Sequence, residues 1–235
     1  MHDAGAAREL QGGPAALAQS APPCDILLMI EPKETRKRAA RQPPEVRRED
    51  LLKVTLECLA HLGPRGTTGR EICRRAGVSH GLLRHYFDNP QNLLLETYQR
   101  VCDDFIARFE QEMAAPHPDP WKALDAFFAV LFSEEWASAE MLGAWMAFWT
   151  LVRDDPDFAR TSEAFNRRLR DLLRAAVSDL PADGRIADRD VAAILSAVMD
   201  GVWLDYCLTP GQLPRERALA LCSLTLRQLV PQPGQ

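Results

Sequence analysis

The sequence predicts an all-α chain in two parts, an N-terminal three-helix unit carrying a helix-turn-helix and a larger helical domain behind it. Three observations support this. Apolar residues recur at three- and four-residue intervals from Pro44 almost to the C-terminus, with no strand-like alternation. Turn signals such as PHPDP, DDP, PADG and TPGQLP punctuate the periodic segments. Between Thr68 and Phe87, two short capped segments flank a glycine, the pattern of a helix-turn-helix.

Composition bounds the rest. The 235 residues are 46% hydrophobic and 26% charged, ordinary for a soluble chain, and no apolar run is expected to approach the ~18 residues of a membrane span. The run CDILLMI (24–30) lacks a preceding basic segment and a cleavage pattern, so a secretory signal is rejected and a cytoplasmic protein is expected. Six scattered cysteines form no CxxC pair, which predicts reduced thiols and no metal. The net charge of −5 hides a segregation: residues 1–30 carry −2, residues 31–100 carry +5 and residues 101–235 carry −8. A basic segment joined to an acidic one suggests that the first meets a polyanion.

Residues 1–43 read as a disordered or basic arm. The first 30 are rich in Ala, Gly, Pro and Gln, and Met29 is an alternative start. EPKETRKRAARQPPE then brings Lys33, Arg36, Lys37, Arg38 and Arg41, either a solvated tail or an arm that lies on phosphates.

The first helix is expected from Pro44 to Leu62, with Leu52, Leu56 and Leu59 on its apolar face, and Gly63, Pro64 and Gly66 break it. Thr68-Gly69-Arg70-Glu71 has the form of a capping box and opens a second helix that Gly77 closes. Ser79 caps a third through Phe87, and Asn89-Pro90 opens a fourth. The fourth is expected over 90–113, and further helices over 121–132, 138–153, 156–180, 188–208 and 214–229. The small domain is bounded at 44–95 and the larger one at 96–231, with the boundary inside the fourth helix.

In GVSHGLLRHYF (77–87), Leu83 and Phe87 share one face and read as core, leaving the other side chains outward. An exposed helix of this size fits the major groove, where Arg84 can read guanine and Leu82 a thymine methyl. Ser79, His85 and Tyr86 suit phosphate oxygens, as does Thr68 with the amides of its helix start. His80 and Gly81 lie on the same surface, and Arg47 and Arg48 add basic groups nearby. Gly81 costs ~1 kcal/mol inside a helix. Close approach of a neighbouring helix or of a DNA backbone would each explain it. His80 and His85 stand off a common face with no carboxylate among them. Neither a catalytic nor a metal site is expected, no cofactor is implied, and no nucleophile–base pair or phosphate loop suggests an enzyme.

TTGREICRRAGVSHGLLRHYFDNPQNLL resembles the DNA-binding signature of the TetR family of transcriptional regulators, over about 45 residues with the preceding helix. WMAFWTLV (145–152), FNRRLRDLL (165–173), VMDGVWL (198–204) and LTPGQLPRERALALC (208–222) are similar to the C-terminal domain of the BetI-type branch. Members often carry tyrosine where this chain has Arg84 and lysine where it has Pro90. The resemblance implies a repressor that binds a double-stranded palindromic operator as a homodimer and leaves it on binding a small-molecule effector, choline in the BetI type. The C-terminal domain would then bind effector and dimerise.

Apolar residues of the last two helices, Ile194, Val198 and Val202 with Leu221 and Leu224 among them, are the candidates for pairing; packing within one subunit is the alternative. For the effector, all five tryptophans lie C-terminal, with Phe105 and Phe109, and Trp145 and Trp149, each paired at a four-residue interval. The ligand set expected is Phe105, Phe109, Trp121, Phe128, Trp145, Trp149, Trp203 and Tyr206, with Asp200 as the carboxylate for a cationic ligand. The same aromatics also suit a plain core.

Overall fold

The computed structural model describes residues 43–181 and 184–231. The expectations for the basic arm fall on residues 1–42 and lie outside that description. Among the described residues every regular element is a helix: α1 (Pro44–Gly66), α2 (Gly69–Ala76), α3 (His80–Phe87), α4 (Pro90–Ala114), α5 (Pro120–Leu131), α6 (Ala139–Asp154), α7 (Pro156–Ser178), α8 (Asp188–Leu208) and α9 (Arg215–Leu229).

Local chemistry starts these helices. The side chains of Thr68, Ser79, Asn89, Asp119, Ser138 and Asp155 each accept a backbone N–H in the first turn of the helix that follows. α1 departs from helical geometry where expected, at Gly63 (φ 65°, ψ −178°), but a further turn follows to Gly66. Asp188–Leu208 is long and apolar enough, by length and mean hydropathy, to cross a membrane. It carries Asp200 and Asp205, however, and packs against α7 and α9.

Two cores result. The smaller joins Leu51, Leu52 and Cys58 of α1 to Ile72 and Cys73 of α2, Leu83 and Phe87 of α3, and Leu93 of α4. The larger fills the space among α4 to α9 and takes in Leu59 of α1. Each fully buried apolar side chain contributes roughly 1.5–3 kcal/mol. α1 and α4 serve both cores, since Leu93 lies in the small one while Leu94 and Tyr98 lie in the large one.

Candidate DNA-reading surface and ligand cavity

The turn between α2 and α3 is fixed at both ends. Gly77 takes the left-handed conformation (φ 64°, ψ 31°), and Val78 N–H donates to the Cys73 carbonyl at 3.0 Å. Thr68 accepts the Glu71 N–H at 3.2 Å and Ser79 the Leu82 N–H at 3.2 Å, which leaves each hydroxyl hydrogen available outward. Only half of the expected capping box forms. The Glu71 carboxylate turns to Arg74 (2.6 Å) and Arg75 (2.8 Å), which hold it well below the usual range, at about 2. Thr68 N–H bonds instead to the Gly66 carbonyl.

Leu83 and Phe87 are buried. Ser79, His80, Gly81, Arg84 and His85 are exposed, with Leu82 and Tyr86 half-buried beside them. α3 therefore presents one polar face with Arg84 at its middle. At Gly81 an added Cβ would meet only the Ser79 Oγ, at 3.8 Å, so no neighbouring helix of this chain accounts for that glycine. Gly69 is different and went unnoticed in the sequence: a Cβ there would stand 2.6 Å from Pro90 Cγ, so α2 needs a glycine to pass the start of α4. Arg47 and Arg48 are both half-exposed. Arg48 is engaged within the chain, ion-paired to Glu96 of α4 with its guanidinium 5.0 Å above the Phe87 ring.

A cavity of about 250 Å³ opens among α4, α6, α7 and α8, with Leu131 at the end of α5. It gathers five of the nine expected ligand residues, Phe105, Trp145, Trp149, Asp200 and Trp203. Phe105 stands edge-on to Trp136 (5.0 Å between centroids) and to Phe165 (5.9 Å), while Trp145 lies tilted against Phe165 at 5.9 Å. Trp203 Nε1 donates to the Trp136 carbonyl at 2.9 Å, tying α8 to the chain before α6. The other four stand elsewhere. Phe109 packs on Phe127 at 4.3 Å, Phe128 is fully buried, and Trp121 lies under the Arg227 guanidinium at 5.0 Å. Tyr206 meets Phe132 in a separate, broader groove.

Two family models divide this chain in the same way. Residues 51–97 match the description "Bacterial regulatory proteins, tetR family", and residues 120–231 match "BetI-type transcriptional repressor, C-terminal". The HTH-type transcriptional regulator BetI of Burkholderia cenocepacia J2315 is 33% identical over 178 residues, covering 75% of this chain and 90% of its own length. The BetI of Burkholderia ambifaria MC40-6 is 34% identical over the same shares. The chain belongs to the TetR family of transcriptional regulators, in its BetI-type branch. A solved transcriptional regulator of Pseudomonas aeruginosa PAO1 superimposes with a TM-score of 0.75 at 31% identity, covering 82% of this chain and 94% of its own. A regulator of Saccharomonospora viridis, solved in complex with choline, has a TM-score of 0.69 at 15% identity, over 79% of this chain and 98% of its own.

In this TetR-family regulator the cavity also uses Trp136, one of the five tryptophans but outside the expected ligand set, and residues that sequence reasoning missed: Tyr98, Ser162, Phe165 and Asn166. Ser162 and Asn166 form the polar side, with Asn166 Nδ2 donating to Ser162 Oγ at 3.3 Å, and burial pushes the nearby Tyr98 phenol up. Spacing on α7 could have paired Ser162 with Phe165 and Asn166 on one face; nothing in the sequence aimed that face at α8. Asp200 keeps solvent access on one side. The wall crowding its other side still pushes its carboxyl up to about 6, with the charge of Arg170 opposing.

Proposed function

We propose that the chain is a ligand-released repressor. Two copies joined through α8 and α9 hold a palindromic operator with their α3 helices, and a small organic cation, choline or a close relative, enters the cavity and lowers operator affinity. The carrying observation is the cavity itself, aromatic walls closing on one carboxylate, Asp200. Each ring facing a quaternary ammonium contributes roughly 0.5–2 kcal/mol. Ser162 and Asn166 offer partners for a hydroxyl on the same ligand, and the choline complex of the Saccharomonospora regulator supports this choice.

Pairing draws support from apolar side chains left uncovered along α8 and α9: Ile194, Leu208 and Leu224 are 42%, 55% and 50% exposed. Val191, Leu195, Met199 and Leu226 of the same helices are buried within the subunit, so each helix divides its apolar residues between two duties. Half-sites would then lie about 34 Å apart or a multiple of it. Release requires a ligand that prefers the weak-binding arrangement.

Gel shifts with DNA from immediately upstream of the coding sequence, repeated at rising salt, test the reading together with calorimetric titration of choline. Arg84→Ala should weaken retention by about 1–3 kcal/mol and relax the preference at one base position. The triple variant Trp145→Ala/Trp149→Ala/Trp203→Ala should lose choline binding. A protein that retains no upstream DNA at low salt is not this repressor, and choline binding that survives the triple variant removes the aromatic cage.

A further inference from the structure

Helix α6 carries two different faces. Trp145 and Trp149 reach the cavity, while Gly143, two residues before Trp145 and so on the far side of the helix, lies against α1. A Cβ added at Gly143 would stand 2.5 Å from the Ala60 carbonyl oxygen and 3.2 Å from both the carbonyl carbon and Cα of that residue. Those atoms are backbone and cannot swing aside as a side-chain tip would. Gly201 of α8, by contrast, meets nothing within 4 Å, and Gly66 of α1 meets only the Leu62 side chain of its own helix.

The carbonyl that Gly143 approaches is one that α1 leaves short of its ordinary partner. Residue 64, four positions on, is a proline without an N–H, and the helix departs from regular geometry at Gly63. The exposed His61 and Glu140, 4.0 Å apart, flank the same crossing. From there the contact runs into both cores. Leu59, next to Ala60, lies in the large core, while Leu51, Leu52 and Cys58 of the same helix hold the α2 and α3 side chains Ile72, Cys73, Leu83 and Phe87. α2 and α3 pack on α1 and α4; α6 packs chiefly on α1 and touches α4 at Tyr98, against Trp145 and Phe148, so α1 is the broader of its two routes to the recognition helix. Close-packed interiors transmit such displacements instead of absorbing them.

We propose that Gly143 is a positioning residue: its glycine-to-carbonyl crossing with Ala60 is the joint through which occupancy of the cavity is passed to the DNA-reading helices. The proposal rests on the ligand-released reading above. α6 is the lever, with the effector's tryptophans on one side and α1 on the other. The absence of a side chain at 143 brings the two helices close enough for a small shift of α6 to move α1.

The full-length Gly143→Ala protein tests this by hydrogen exchange, choline calorimetry and gel shift. Choline affinity should stay within about twofold, because no cavity-lining group changes. Amides of α2 and α3 should exchange about tenfold faster or more, because α1 carries the displacement into the small core. The ratio of operator affinities without and with saturating choline should fall to about twofold or less, against the roughly 5–150-fold typical of coupled sites. Unchanged α2–α3 exchange, or an unchanged affinity ratio, overturns the proposal. Should that variant fail to fold, His61→Cys/Glu140→Cys bridged by a short bifunctional thiol reagent fixes the joint instead: choline should still bind, with operator affinity no longer responding. Release of the bridged protein as complete as that of the unbridged one also overturns it. Wild-type protein indifferent to choline sinks the ligand assignment alone. The α2–α3 exchange of Gly143→Ala then decides the joint, and no change there overturns it.

Discussion

The DNA-reading end and the cavity end of this molecule are built on different length scales. α2 and α3 are eight residues each, start on Thr68 and Ser79, turn on Gly77, and are held by one small cluster of buried side chains. The cavity takes its wall from α4 to α8, with contributors as far apart as Tyr98 and Trp203. A surface made by adjacent turns depends on few side chains, so one substitution should dismantle it. A concave site shared by five helices of a large core should tolerate more.

Phe87→Ala puts that contrast under the greatest load. Phe87 is 2% exposed, closes the small core and lies beneath the Arg48 guanidinium. Its truncation should cost about 3–5 kcal/mol. Operator binding should disappear and α2–α3 amides should lose protection, while choline affinity measured by calorimetry stays within about twofold. If ligand binding is lost together with DNA binding, the shared helices α1 and α4 make the two ends one cooperative unit and the contrast is wrong.

The same difference of scale explains what could be read from the sequence. The caps at Ser79 and Asn89, the αL glycine at 77, and the inward Leu83 and Phe87 follow from rules that act within one or two turns, and the structure places them accordingly. The capping box failed by half because Glu71 had two arginines within one turn, and a side chain four atoms long reaches either these or Thr68 N–H. At the cavity, helical spacing named aromatic faces without saying which face meets which. Phe105 and Phe109 lie four residues apart on α4, yet the first lines the cavity and the second packs under Phe127. Spacing groups Ser162 and Asn166 on one face of α7 but does not say where that face points, because a polar pair on a long helix reads as solvent-facing until its neighbours are known. Gly69 and Gly143 were silent for the same reason, each being required by a contact with another helix.

A change of intermediate size tests the electrostatics of the cavity end. Burial raises the Asp200 carboxyl to about 6 from an ordinary 3.8, against the opposing charge of Arg170. In the free protein this raised value favours the folded state while the group is protonated. That contribution fades as pH rises from about 4 through 6, leaving a cost at neutral pH. A bound cation reverses the preference by stabilising the carboxylate. Choline affinity should therefore rise with pH through about 6 and level off above 7, with roughly tenfold weaker binding at pH 5. Asp200→Asn should give a flat, weak profile over the same range by calorimetry. A wild-type profile already flat between pH 5 and 7.5 would show that Asp200 does not face the cation.

The smallest effect separates two neighbours at the DNA-reading end. The sequence assigned Arg47 and Arg48 alike to DNA, but Arg48 spends its guanidinium on Glu96 and the Phe87 ring, whereas Arg47 holds no ion pair among the described residues. A phosphate contact releases counterions and a positioning contact does not. Arg47→Ala should lower the slope of log operator affinity against log salt by about one, with stability unchanged within about 0.5 kcal/mol. Arg48→Ala should leave the slope alone and cost about 0.5–1 kcal/mol of stability in urea unfolding, the pair being partly exposed and the ring contact modest. Because Arg48 joins α1, α3 and α4, its loss should weaken operator binding equally at every salt concentration. A slope that changes for Arg48→Ala and not for Arg47→Ala would exchange the two roles and move the phosphate contact to the other side of α1.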